Sequence, residues 1–307
     1  MLNTRSIICF TLLISFGTTQ VLGSTQSLIS VTVKQSLRIG KFQTGIGSRV
    51  ELKSEDPKSS GEALFLGKAI RPVGTQSFQM YLHLATKKVL YIEANLLKSP
   101  NIALQTVLDP YEQAGGTCTG YAIYDYLQQL NLTGFKGSGE LVKSLETEEG
   151  RTTLLVDSVN QYYLNLQHRN SINGILNSYG KKFGFQCKNF KTNTYSEAKS
   201  IILKNLSLGN PVIFSFYTGP KMYKSPFPLS YYLQPNPELD DRLWVPRKTG
   251  ERNSGGHSNV AAASFELEGK NYLVMLDSDW SQPRIWDMDA FLGERMDLSE
   301  IDFIFCK

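Results

Sequence analysis

Apolar and polar positions alternate along the first third of the chain. "SLISVTVKQSL", "SFQMYLHLA" and "KKVLYIEANLL" each read as a strand with one face turned inward, and clusters such as "SEDPKSSGEA" separate them. The period changes at Cys118, after which Ala122, Ile123, Tyr126, Leu127 and Leu130 fall on one helical face until "GFKGSG" ends the run. "SINGILNSYGKKF" and "TYSEAKSIILKNLSL" predict further helices, the second with Ala198, Ile201, Ile202 and Leu206 on a shared face. "VIFSFY" then reads as a buried strand. "HSNVAAASFELEG" and "NYLVMLDSDW" predict a hairpin turning across Gly269 and Lys270. A short helix at "WDMDAFLGERM" and a closing strand at "IDFIFCK" complete an α+β fold class, with a leading helix set against an antiparallel sheet.

Residues 219–256 interrupt this alternation. They hold half of the twelve prolines together with several aromatics, and they predict a long ordered insertion or lid. "TGIGSRV" has neither phosphate-loop spacing nor a following helix and reads as a turn.

At the N-terminus Arg5 precedes the apolar run "SIICFTLLISFG", and "VLG" closes it in the pattern of a secretory signal peptide over residues 1–23. The run is short for a bilayer span, so no stable membrane insertion is expected once the leader is removed. The expected location is secreted or periplasmic. The sequence divides into this leader, a β-rich segment over 24–105 of unknown role and a catalytic domain over 106–307 that carries the insertion. A net charge of +4 with scattered Lys and Arg gives no reason to expect nucleic acid as a partner.

Of the four cysteines, Cys9 lies in the leader, which leaves Cys118, Cys187 and Cys306. An odd number in an oxidising compartment suggests one disulfide and one free thiol, with Cys118 the candidate for the thiol and Cys187 with Cys306 for the bond.

A helix N-terminus favours a thiolate through its unpaired N–H groups and its dipole, and Gly115 and Gly116 would let a substrate come close to Cys118. A thiolate needs an imidazole. Of three histidines, His83 belongs to an alternating strand and His168 to a polar loop or helix edge, whereas His257 follows two glycines at the mouth of a strand. The Cys118–His257 separation falls inside the roughly 130–150 residues of papain-type enzymes. Asp277 ends the apolar run "YLVMLD" and is placed to orient the ring, with Asp279 as a nearby competitor. Gln113, shortly before the thiol, is placed to donate its amide to a developing oxyanion.

"GTCTGYAIYDYL", "GGHSNVAAA" and "LDSDW", in that order, resemble the papain-like cysteine peptidases, above all the staphopain-like and leader-peptide-processing bacterial branches. The resemblance implies a helix carrying the nucleophile packed on an antiparallel sheet carrying His and Asp. It implies Cys118 as nucleophile, His257 as base and acid, Asp277 as orienter and Gln113 as oxyanion donor. The expected activity is an exported cysteine peptidase, a thiol protease that hydrolyses a peptide or protein substrate through a thioester, with no metal or organic cofactor. Departures from the pattern are Thr119 where papain has a tryptophan, Ser258 where a small apolar residue is usual, Asp in place of Asn at 277, and a shorter spacing from Gln113 to the cysteine. Two alternatives use the same fold: a transglutaminase-like acyltransferase or deamidase, and a catalytically inactive secreted binding protein.

Overall fold

The computed structural model describes residues 29–36, 45–70, 77–98, 118–132, 145, 147–168, 171–231, 242–279, 283–293 and 296–306. The leader, Gly115, Gly116 and Gln113 lie outside them. Two seven-stranded sheets and five helices make a mixed α+β fold among the described residues.

The alternating N-terminal third forms β1 (Ile29–Gln35), β2 (Arg49–Lys53), β3 (Gly61–Ile70), β4 (Ser77–His83), β5 (Lys88–Glu93) and β6 (Leu97–Lys98). Successive side chains leave opposite faces of a strand, and both faces of this sheet are apolar. One face, with Ile29, Val31, Val50, Phe65, Tyr81 and Ile92, forms a core cluster of its own among the described residues. The opposite face, with Leu64, Leu66, Met80, Leu82 and Val89, shares a core with the helices and with the second sheet.

Three helices fill that shared core: α1 (Cys118–Leu132), α2 (Glu148–His168) and α3 (Ile172–Phe183). Ser171 caps α3 by accepting from the Gly174 amide, and Gly184 ends it in the left-handed region, as the sequence pattern requires. The longest helix, α2, was not legible in the sequence. Thr152, Thr153, Val156 and Val159 weaken its intrinsic preference, and Leu154, Leu155 and Ser158 are its main buried contribution. Packing against α1 selects it: a Cβ on Gly120 would lie 2.7 Å from the Val159 Cα, so glycine at 120 is what lets the two backbones approach.

The second sheet has the order β13-β12-β11-β8-β14-β7, with β10 paired to β8 off this path. Its strands are β7 (Cys187–Phe190), β8 (Val212–Lys224), β10 (Arg242–Pro246), β11 (Gly255–Leu267), β12 (Lys270–Leu276), β13 (Arg284–Asp287) and β14 (Asp302–Cys306). The β11–β12 hairpin turns on Glu268 and Gly269, one residue earlier than the sequence suggests. Both have positive φ, the requirement of the tight turn that matches strand twist, so Lys270 already pairs with Leu267. The far face of the sheet is covered by α4 (Tyr195–Ser207) and α5 (Met288–Leu292), where Phe214, Phe216, Trp286 and Phe291 meet edge to face.

The proline-rich insertion begins inside β8, which runs on to Lys224, and its described part is a ribbon: β10 returns along β8, and β9 (Leu229–Tyr231) adds in parallel to β5 at the edge of the first sheet. No helix among the described residues is long and apolar enough to cross a membrane.

Cys187 and Cys306 face each other across the β7–β14 pair and form a disulfide, leaving Cys118 as the free cysteine among the described residues. The bond spans 119 residues. Replacing both cysteines by alanine releases that closure in the unfolded chain and is expected to destabilise the protein by about 2–5 kcal/mol, read as a lower urea midpoint. An unchanged midpoint would show that the bond contributes nothing to stability.

Candidate functional site

The site forms where β11 and β12 part. The last ladder pair at this end is Val260 with Leu276, and Asp277 follows directly, so its backbone leaves the ladder and its carboxylate turns toward β11. His257 meets it there, with Nε2 3.0 Å from Oδ1 of Asp277. The same oxygen accepts the Asp279 backbone N–H at 3.2 Å. Phe216, the cross-strand neighbour of His257 on β8, holds the ring in a T-shaped contact at 5.8 Å between centroids.

Cys118 opens α1 and approaches the ring from the helix. Its side chain strengthens the ring's hold on its proton. All three groups are nearly sealed from solvent: Cys118 is 8%, His257 5% and Asp277 2% exposed. Burial works against a charged ring, but the Asp277 charge and hydrogen bond, followed by the hydrogen bond and charge of Cys118, outweigh it. His257 is held well above the ordinary imidazole value of 6.5. Among the described residues, Oδ2 of Asp277 has no hydrogen-bond partner.

Among the described residues, one group of His, Cys, Asp and Glu atoms gathers within 4.8 Å, and its members are His257, Asp277 and Asp279. They are the residues best placed to surround a cation. The arrangement is already held together without one, because Asp277 Oδ1 accepts from both the ring and the Asp279 amide. Cys118 is not a member of this group. The expected thiol protease, a peptide-bond hydrolase running on a Cys118–His257–Asp277 triad, is corrected on that ground. The clustered trio holds two carboxylates and no thiol.

The other histidine expectation stands with more detail. His83 is a strand residue at 2% exposure; one ring nitrogen lies 3.0 Å from the Ser60 carbonyl and the other accepts from the Thr86 amide. Its ring also lies where a Cβ on Gly61 would come within 3.0 Å, so it serves packing. His168 ends α2, outside the site's elements.

Sequence reasoning gave no role to Thr119 or Ser258, yet the two meet. Thr119 Oγ1 and Ser258 Oγ are 3.1 Å apart in a buried contact, and Ser258 continues to Ser215 at 3.2 Å. The signal was present in the sequence, because both had been marked as departures from the papain pattern.

The raised His257 value fixes a pH dependence. A ring that binds its proton more tightly when folded contributes stability that is complete below about 6.5 and is lost as pH rises through the higher folded value. The difference in urea midpoint between the native chain and His257→Gln is therefore expected to be largest near pH 6 and to shrink on going to pH 9. An imidazole NMR titration with a midpoint below 6.5 would contradict it. No protein-family model matches the chain, and no curated protein matches it.

Proposed function

We propose that the chain is a thiol-dependent acyltransferase of the transglutaminase-like kind, acting on side-chain amides and deamidating them when water replaces the amine. What supports the reading is the buried His257–Asp277 pair, Nε2 to Oδ1 3.0 Å, together with the buried thiol of Cys118 at the start of α1, a helix packed against β11. The Cys118 sulfur attacks the carboxamide carbon, an S–C bond forms, and the C–N bond breaks. Ammonia leaves with a proton from His257, and the acyl group remains as a thioester. A primary amine then attacks the thioester, gives its proton to His257 and releases the thiol.

Burial favours this course over simple hydrolysis. A thioester formed where sulfur and imidazole are both less than a tenth exposed is shielded from bulk water, so an acceptor bound beside it competes well. The order of thiol, imidazole and carboxylate along the chain is shared by transglutaminase-like enzymes, and a nucleophile helix packed on an antiparallel sheet suits them. Export, to a secreted or periplasmic location, belongs to the same proposal, supported by the leader pattern and by the disulfide, a bond of oxidising compartments. Gln113 stays within the proposal as the oxyanion donor.

The test is mass-spectrometric detection of a primary alkylamine, such as cadaverine, incorporated at glutamines of a carrier protein, with ammonia release followed in parallel. Cys118→Ala is expected to abolish both. Asp277→Ala leaves the ring unoriented and is expected to lower kcat/KM about 10²-fold or more. Asp277→Asn retains an acceptor oxygen and loses less. Asp279 holds Asp277 through its backbone amide, which alanine keeps, so Asp279→Ala is expected to be milder than Asp277→Ala. Absence of amine incorporation and ammonia release in the native chain would favour the inactive binding protein. Turnover by the Cys118→Ala protein would remove the thiol from the mechanism.

A further inference from the structure

Three hydroxyls link the nucleophile helix to the strands beneath it. Thr119 Oγ1 lies 3.1 Å from Ser258 Oγ, and Ser258 Oγ lies 3.2 Å from Ser215 Oγ. Ser258 has one proton and gives it to Ser215, so it accepts from Thr119, and the chain runs one way: Thr119 to Ser258 to Ser215. Thr119 is 6% exposed and Ser258 2%. A buried hydroxyl that loses its partner retains its desolvation penalty, so each bond resists being broken and water cannot easily replace it.

The register of this contact matters more than its strength. Thr119 directly follows Cys118 on α1, and Ser258 directly follows His257 on β11. A bond at 119–258 therefore sets how the start of α1 sits on β11, the two elements that carry Cys118 and His257. Ser215 anchors the lower end through the ladder, because it pairs with Ser258 on one side and with Asp302 of β14 on the other. A helix resting on an apolar sheet face slides at little cost, since apolar contact is not directional. A directional bond at its first turn removes that freedom. The Thr119 hydroxyl, which at a helix start ordinarily turns to the helix's own amides, is used across the interface instead.

We infer that Thr119 and Ser258, backed by Ser215, are positioning residues: a hydroxyl clamp that sets the Cys118 to His257 contact and so the reactivity of the thiol. The two places where this chain departs from the papain pattern around its nucleophile and its histidine are thus one paired change, each residue meaningful only with the other. The inference rests on the proposed acyl transfer for its catalytic consequence, but not for its measurement.

The experiment follows alkylation of Cys118 by iodoacetamide, which needs no substrate and no turnover, beside amine incorporation. Thr119→Val keeps the shape and removes the donor. It is expected to slow alkylation near pH 7 about tenfold, to move the His257 titration down toward 6.5 as the thiol contact loosens, and to lower kcat with little change in KM. Thr119→Ser keeps the donor and is expected to restore all three. The Thr119→Val/Ser258→Ala pair is expected to lose no more than the worse single variant, because both remove the same bond. Should Thr119→Val fail to fold, Ser258→Ala and Ser215→Ala test the clamp from its other end by the same alkylation rate. Alkylation and titration unchanged in folded Thr119→Val or Ser258→Ala, with only a lower urea midpoint, would overturn the clamp. If the native chain incorporates no amine while Thr119→Val still slows alkylation, the proposed function fails and the clamp stands.

Discussion

Everything in the site depends on how α1 docks against the second sheet. The helix is held at two levels. Near its start the hydroxyl chain ties it to β11 and β8. About two turns on, the buried Tyr126 hydroxyl accepts the Cys306 backbone N–H at 2.6 Å and ties it to β14. Burial holds the Tyr126 phenol far above its ordinary range, although the Cys306 N–H works the other way, so it stays neutral. Two directional bonds on one rigid helix fix both its translation and its rotation, and the apolar contacts of Ala122, Ile123 and Leu127 then add adhesion without having to supply aim. The thiol is carried to the imidazole by this docking, since Cys118 and His257 come from elements with no local reason to meet.

The imidazole is arranged from three directions. Phe216 steers the ring from the neighbouring strand, Asp277 draws its Nε2, and Cys118 on α1 adds to its hold on the proton. A carboxylate that ends a strand is a reliable device for this, because leaving the ladder frees its backbone to turn while the strand behind it stays fixed. The Asp279 amide bonding back to Asp277 Oδ1 closes the turn and keeps that carboxylate from rotating away.

Much of this was legible in the sequence where a short-range signal existed. The alternation of β1, β4 and β5, the period of α1, α3 and α4, and the punctuation before His257 were enough to place those elements. Asp277 could be singled out because an apolar strand halted on it. What the sequence hid has physical reasons. The helix α2 is poor in intrinsic preference and forms because Gly120 lets α1 come close. The strand β9 has three residues and no pattern of its own, and its partner β5 lies far back in the chain. The meaning of Thr119 and Ser258 was invisible because each is unremarkable alone, and only the fold brings them within bonding distance. Which carboxylates gather around the ring was likewise a question of turn geometry, and that geometry redirected the reading away from a peptidase.

The parallel pairing of β9 with β5 also bears on how the chain is made. The N-terminal sheet emerges from the ribosome early, but its last strand, Leu229–Tyr231, is synthesised only after α1 to α4 and β8 have appeared. Until then β5 presents an unpaired edge. The first sheet therefore cannot complete itself vectorially and must wait for a segment more than a hundred residues downstream. Long-range closure of this kind is slow. A chain translocated unfolded would meet this wait on the far side of the membrane, where both ends of the sheet arrive together.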